Sequence, residues 1–191
     1  MFAVRAESFR PDLFWGVPVL RCLLIILFLA GCSAAPPSVP EPEARFTTTD
    51  VAWMQLTDAL HTRALPVLEL APDRAGRPVA DLSVRLRTTH EAGRGRLRAL
   101  LATAGITGDN PHTQMDMPGM PTAVEVKKLT KLKGESFDRR FSGLMKAYLD
   151  QLVLVANGER SSGGAAEVRD LATAMVREHG EELAELDRIS A

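Results

Sequence analysis

Three histidines and a methionine-rich loop are the residues of this chain with metal chemistry in them. His90 and His179 fall on the apolar stripes of two helical segments, so both should point inward. With His61 they would form a three-imidazole set suited to zinc or copper. His112, Met115, Met117 and Met120 lie close together between helical segments, and thioethers are soft ligands that suit Cu(I). Each group also has a plain reading. A histidine on a helix stripe serves as a core residue bonded to a neighbour, here with Asp58, Glu91 and Glu178 as candidate partners. Met117 and Met120 serve equally well as adaptable apolar plugs at the bundle end. Phosphate loops, nucleophile elbows and Glu-x-x-His pairs are absent from the sequence, which argues against an enzyme.

Cys32 carries a different chemistry. It follows Leu29-Ala30-Gly31 at the end of the apolar run Cys22 to Ala30. That pattern resembles the lipobox of bacterial lipoproteins, in which the cysteine is acylated and becomes the new N-terminus. The run has the length of a signal h-region and falls short of the ~20 residues that span a bilayer. Counting Phe14 to Ala30 as one retained anchor would bury Arg21, at a cost of roughly 2.5–3.5 kcal/mol. The expected organisation is a signal peptide over 1–31, a Pro-rich linker over 32–45 and a domain over 46–191. The protein would then be lipid-anchored on the outer side of a membrane. Cys22 would be removed and Cys32 acylated, leaving neither thiol nor disulfide chemistry.

The whole chain has 191 residues and a formal charge of −1. Residues 1–31 contain Arg5, Arg10, Arg21, Glu7 and Asp12, so the remainder is slightly more acidic. This balance excludes a nucleic-acid partner, which needs a concentrated basic surface. Arg85, Arg87, Arg94, Arg96 and Arg98 cluster on one segment. They read as a solvated helix face, with anionic lipid headgroups as the alternative partner.

The positioning elements are helices. Apolar residues recur at spacings of three and four, and period-2 alternation is missing. Thr49-Asp50 opens a helix reaching Leu70, with Trp53, Leu56, Leu60 and Ala64 on its stripe and Pro66 bending its end. A second runs over 78–103 with Val79, Leu82, Leu86, His90, Gly93 and Leu97. A third runs from Ser136 to Asn157-Gly158 with Phe137, Phe141, Leu144, Tyr148 and Leu152. A fourth runs over 166–189 with Val168, Leu171, Met175, His179 and Leu186. A shift of 88 lays Asp50, Trp53 and Leu56 on Asp138, Phe141 and Leu144. A shift of 89 lays Val79, Asp81, Leu82 and His90 on Val168, Asp170, Leu171 and His179. Duplicated hairpins of this length predict an all-α, up-down four-helix bundle. The crossover over 105–134 should hold a short helix capped by Thr122 and Glu125.

Met117-Pro118-Gly119-Met120, the following short Lys-rich helix, then Gly134-Glu135-Ser136-Phe137-Asp138-Arg139-Arg140-Phe141 and Leu144-Met145 resemble the bacterial domain-of-unknown-function family 305. These are exported, ferritin-like proteins, some of them associated with copper. The resemblance spans about 46–189. It implies a His-His pair in the first and third helices, and the chain departs from it there. Leu60-His61 and Tyr148-Leu149 occupy those places, so His61 is the one residue the match carries over. Two functions follow as expectations. One is an envelope protein that binds a soft metal, copper, through His61 and the His112–Met120 loop. The other is a module that has lost its metal site and acts by structure or by contact with a protein partner the sequence does not name.

Overall fold

The computed structural model describes residues 45–190. The expected signal segment, Cys32 and all but the last residue of the expected linker lie outside the described residues. Five α-helices follow in order: α1 Thr48–Leu70, α2 Arg77–Thr103, α3 Ala123–Leu129, α4 Gly134–Ser162 and α5 Ala166–Ser190. No strand occurs among the described residues. The four long helices form two hairpins. α1 packs on α2 and on α4, and α5 packs on α4 and on α2. The short α3 lies in the crossover against α1 and α4.

The boundaries differ from the expected ones for local reasons. The α1 N-cap is Thr47 rather than Thr49, because Thr47 and Asp50 close a reciprocal capping box. Helix α4 starts at Gly134 and passes through Asn157-Gly158 to Ser162. Burial of Ala156 and Glu159 holds that last stretch helical despite the glycine. Pro66 is accommodated inside α1. The expected capping box of Thr122 with Glu125 is present at α3.

Asp50 and Asp138, equivalent in the sequence repeat, do equivalent work. Asp138 accepts the backbone N–H of Gly76 at 3.0 Å, capping the start of α2. Asp50 accepts the N–H groups of Gly164 (2.9 Å) and Ala165 (3.2 Å), capping the start of α5. Each hairpin thus uses an aspartate near its first helix start to satisfy the orphan donors of the other hairpin's second helix. A Cβ on Gly76 would stand 2.8 Å from Asp138 Oδ2, so glycine lets the carboxylate come this close.

The crossover is fastened by Arg63 of α1. Its guanidinium donates to the carbonyls of Pro121 and Thr113 and pairs with Asp116. Met117-Pro118-Gly119-Met120 is a tight turn, with Met120 N–H donating to the Met117 carbonyl at 3.0 Å. Gly119 has φ +77°, the value a type II turn needs after proline. A Cβ at Gly119 would lie 2.4 Å from Gln151 Cβ, so the turn docks directly on α4.

The apolar interior consists of two clusters. One gathers Leu60, Leu82, Leu86, Phe137, Phe141, Leu149 and their neighbours. The other gathers Trp53, Met54, Leu97, Val168, Leu171 and Met175. On α2 the chain passes from Leu86 in the first cluster to Leu97 in the second, and His90 lies between. On α5 it passes from Met175 to Leu186, and His179 lies between. A polar layer therefore sits where the two clusters meet.

Candidate metal centre

Each long helix contributes one side chain or more to this layer. They are His61 from α1, His90 from α2, Tyr148 from α4, and His179 and Glu182 from α5. His61, His90, His179 and Tyr148 are all buried, at 2% exposure or less. Stripe spacing puts them inside. The three-residue step from His179 to Glu182 brings the carboxylate back over the same helix face.

The groups form one chain of hydrogen bonds. His61 Nδ1 meets the Tyr148 hydroxyl at 2.5 Å, and that hydroxyl meets His90 Nδ1 at 2.9 Å. His90 Nε2 lies 2.9 Å from Glu182 Oε2, and His179 Nδ1 lies 2.8 Å from the same oxygen. The imidazole centroids are 4.9 Å (His61–His90), 5.2 Å (His90–His179) and 5.6 Å (His61–His179) apart.

Charge follows from this geometry. Burial on its own would raise the Glu182 carboxyl, but hydrogen bonds from His179 and His90 overcome it and hold the group at about 2. Burial drives His61 well below its ordinary value, reinforced by the neighbouring His90 and His179. Burial also lowers His90, with Glu182 opposing, and it raises the Tyr148 hydroxyl far above the usual phenol value.

With Glu182 ionised and His61 and His90 neutral, the proton positions follow from the network. His90 Nε2–H and His179 Nδ1–H both donate to Glu182. His90 Nδ1 then carries a lone pair and accepts from the Tyr148 hydroxyl, whose oxygen accepts from His61 Nδ1–H. Two nitrogens remain, His61 Nε2 and His179 Nε2. Both are buried without a hydrogen-bond partner. In this arrangement His61 Nε2 bears a bare lone pair inside the protein, which is uncommon for buried polar atoms.

Could this layer hold a metal? One atom each from His90, His179 and Glu182 lie within 4.8 Å of one another, and no other such set of His, Cys, Asp or Glu occurs among the described residues. Two donors bound to one ion at ~2.0–2.2 Å stand roughly 3–3.5 Å apart. The 2.8 and 2.9 Å contacts at Glu182 Oε2 need only a small outward movement to reach that spacing. Tyr148, bonded to the far nitrogen of His90, is the kind of outer partner that orients a ligating imidazole. The residues fit a metal ion.

The sequence-predicted residues divide accordingly. His61, His90 and His179 are brought together. The loop residues are dispersed by environment. Met120 is buried in the first apolar cluster with Met117 packed against it, while Met115 is half exposed. His112 lines a separate recess beside Trp53, Leu56 and Glu159. The expected acidic partners are corrected. Asp58 accepts from Arg94, Arg98 and Asn110, Glu178 pairs with Arg96, and Glu91 is exposed. Glu182, one helical turn after His179, holds the imidazoles instead. The arginine row is also less free than a solvated face. Arg85 and Arg96 pair with Glu185 and Glu178 of α5, and Arg94 and Arg98 converge on the buried Asp58.

The model of the domain of unknown function DUF305 matches residues 50–190. The chain belongs to this family. A DUF305 protein from Streptomyces coelicolor, named as secreted, has a crystal structure similar to this fold. The TM-score is 0.66 at 25% identity, covering 74% of this chain and 89% of that one. A DUF305 fragment from Deinococcus radiodurans shares the fold with a TM-score of 0.68 at 23% identity, covering 76% and 97%. No curated protein matches. Within this DUF305 domain, Tyr148 stands at one of the places where the family resemblance implies histidine, and its hydroxyl bonds to two imidazoles. Among the described residues no helix is long and apolar enough to cross a membrane.

Proposed function

We propose that this DUF305 protein is an envelope protein, tethered by lipid at Cys32, whose bundle takes up one transition-metal ion at His90, His179 and Glu182. The observation that carries the reading is the meeting of two imidazole nitrogens and an ionised carboxylate in one buried layer. Imidazole with carboxylate suits divalent first-row metals, and Cu(II) stands highest in their affinity order. Copper is therefore the cargo we assign. The secreted Streptomyces relative supports an extracytoplasmic setting, and the Leu29-Ala30-Gly31-Cys32 pattern supports the tether.

The surrounding residues explain how the ligands become available without leaving a buried charge. His90 must free Nε2 and His179 must free Nδ1, and an imidazole can carry its proton on its other nitrogen instead, Nε2 in His179 and Nδ1 in His90. That Nδ1–H then donates to the Tyr148 oxygen, and the Tyr148 hydroxyl donates to His61 Nδ1. His61 carries its own proton on Nε2. The relay moves one place along the chain, and His61 and His90 stay neutral. A bound cation supplies positive charge against Glu182, and Tyr148 holds the His90 ring in register.

The test is a titration of the purified protein with Cu(II) and Zn(II) against a competing chelator. The reading predicts one ion per chain, with uptake reduced at least tenfold in Glu182→Gln and in His179→Gln. Absence of uptake by the unaltered protein would favour the alternative, a module that has lost its metal site and acts by structure or by protein contact. Palmitate labelling that persists in Cys32→Ser would refute the tether.

A further inference from the structure

The polar layer is closed to solvent at every side chain but one. His61, His90, Tyr148 and His179 are buried at 2% exposure or less, whereas the Glu182 side chain keeps 13%. A recess of about 440 Å³ opens over it at the seam between α2 and α5. Leu86 and Thr89 wall it from α2, and Glu178, Glu181, Glu182 and Glu185 from α5. The recesses beside Asp58, Pro66, Trp53 and Pro78 touch no member of the layer. Helices α2 and α5 also meet less closely than either hairpin packs within itself. Three pairings cross their seam in antiparallel order: Arg85–Glu185, His90–Glu182 and Arg96–Glu178. The outer two are partly exposed ion pairs, which add little to closure and part readily.

We propose that this seam recess is the entrance to the polar layer, and that Glu181 steers a divalent cation through it onto Glu182. The charge of the opening supports the steering. Four carboxylates line it against two guanidiniums, those of Arg85 and Arg188. Arg85 takes Glu185 and Arg96 takes Glu178, while Glu181 is exposed and has no ion-pair partner among the described residues. A cleft lined by one sign of charge gathers ions of the other sign and raises their on-rate. At its floor stands Glu182, the ionised carboxylate of the layer. Behind Glu182 the layer holds two buried nitrogens without a partner, on His61 and His179, so the route ends at groups that lack one. The route rests on burial and on the recess alone. The steering rests on the metal reading of the layer.

The experiment is stopped-flow uptake of Cu(II) and Zn(II) by the metal-free protein, with equilibrium affinity measured beside it. Thr89→Trp, which sets an indole in the opening, should slow uptake and release alike by roughly tenfold and leave affinity within about twofold. Glu181→Lys should slow uptake roughly fivefold at low ionic strength, an effect that fades as salt is added. A ligand variant such as Glu182→Gln loses affinity instead. The second readout needs no metal. Carbethoxylation of His90 and His179, followed by mass spectrometry, should slow in Thr89→Trp, while His112, in a different recess, reacts unchanged. Ion uptake at the original rate in Thr89→Trp would overturn the route, and an unchanged rate in Glu181→Lys would overturn the steering. If the unaltered protein takes up no ion, the metal reading and the steering fail, and carbethoxylation decides the route. Rates at His90 and His179 that Thr89→Trp leaves unchanged, or no reaction there at all, would then overturn it. Should circular dichroism show that Thr89→Trp misfolds, Thr89→Phe takes its place in both readouts.

Discussion

Replacing Glu182 by glutamine should destabilise the metal-free protein in a way that depends on pH. Glu182 accepts two N–H bonds, from His90 and His179, through a carboxylate that is mostly shielded from solvent. Glutamine keeps the shape but loses the charge and presents an amide N–H₂ to two donors. Charge-assisted bonds contribute about 1.5–3 kcal/mol each, part of which the amide oxygen retains. The second route to the magnitude is the carboxyl itself, held at about 2 against an ordinary 4.5. At 1.36 kcal/mol per unit that is about 3 kcal/mol. The folded value is depressed, so this stability is present in full above the unfolded value. It is lost as pH falls toward the folded one. The gap between the two proteins should be about 3 kcal/mol at pH 7 and roughly half that at pH 3. For a domain of this size the neutral-pH gap corresponds to a melting temperature lower by about 6–12 °C. Thermal unfolding followed by circular dichroism at both pH values is the assay. A variant as stable as the original at pH 7, or a gap that does not shrink on acidification, would refute the electrostatic reasoning.

Three further outcomes follow from the same structure. Tyr148→Phe removes the hydroxyl that joins His61 to His90 and leaves two buried nitrogens unpaired, so stability should fall by about 1–3 kcal/mol in chemical denaturation. Gly93→Ala should raise the stability of the metal-free protein by up to ~1 kcal/mol, since its methyl group meets no clash. Burial, then the neighbouring Asp50 carboxylate, pushes Glu159 up to about 7. Its folded value lies above the unfolded one, so the native state loses stability as pH rises from about 4.5 to 7. Glu159→Gln should flatten that part of the stability profile and make the protein more stable at pH 8.

The helices were legible because four long segments repeat apolar residues at helical spacing. Even the pairing of Asp50 with Asp138 showed in the duplication before its capping role was known. His90 and His179 were legible for the same reason, as equivalent residues on inward stripes. Glu182 was overlooked because acids next to a histidine in sequence, such as Glu91 and Glu178, point to other sides of a helix. The i to i+3 step from His179 was the signal that could have found it. Tyr148 read as the loss of a ligand, whereas its hydroxyl bridges the remaining imidazoles. The Met-Pro-Gly-Met segment looked chemically suggestive in a list of residues. Its positive-φ glycine and buried Met120 give it a structural task in docking the crossover on α4. Gly93 was legible only as a position on the inward stripe of α2, and its distances to Met175 and His61 are what the structure adds.

The most direct measurement is anomalous diffraction at the copper edge from crystals of the protein grown with Cu(II). The account predicts a single strong peak within bonding distance of His90 Nε2, His179 Nδ1 and Glu182 Oε2, with the Tyr148 hydroxyl still on His90 Nδ1. Intact hydrogen bonds from both imidazoles to Glu182, with no peak in the bundle, would contradict it.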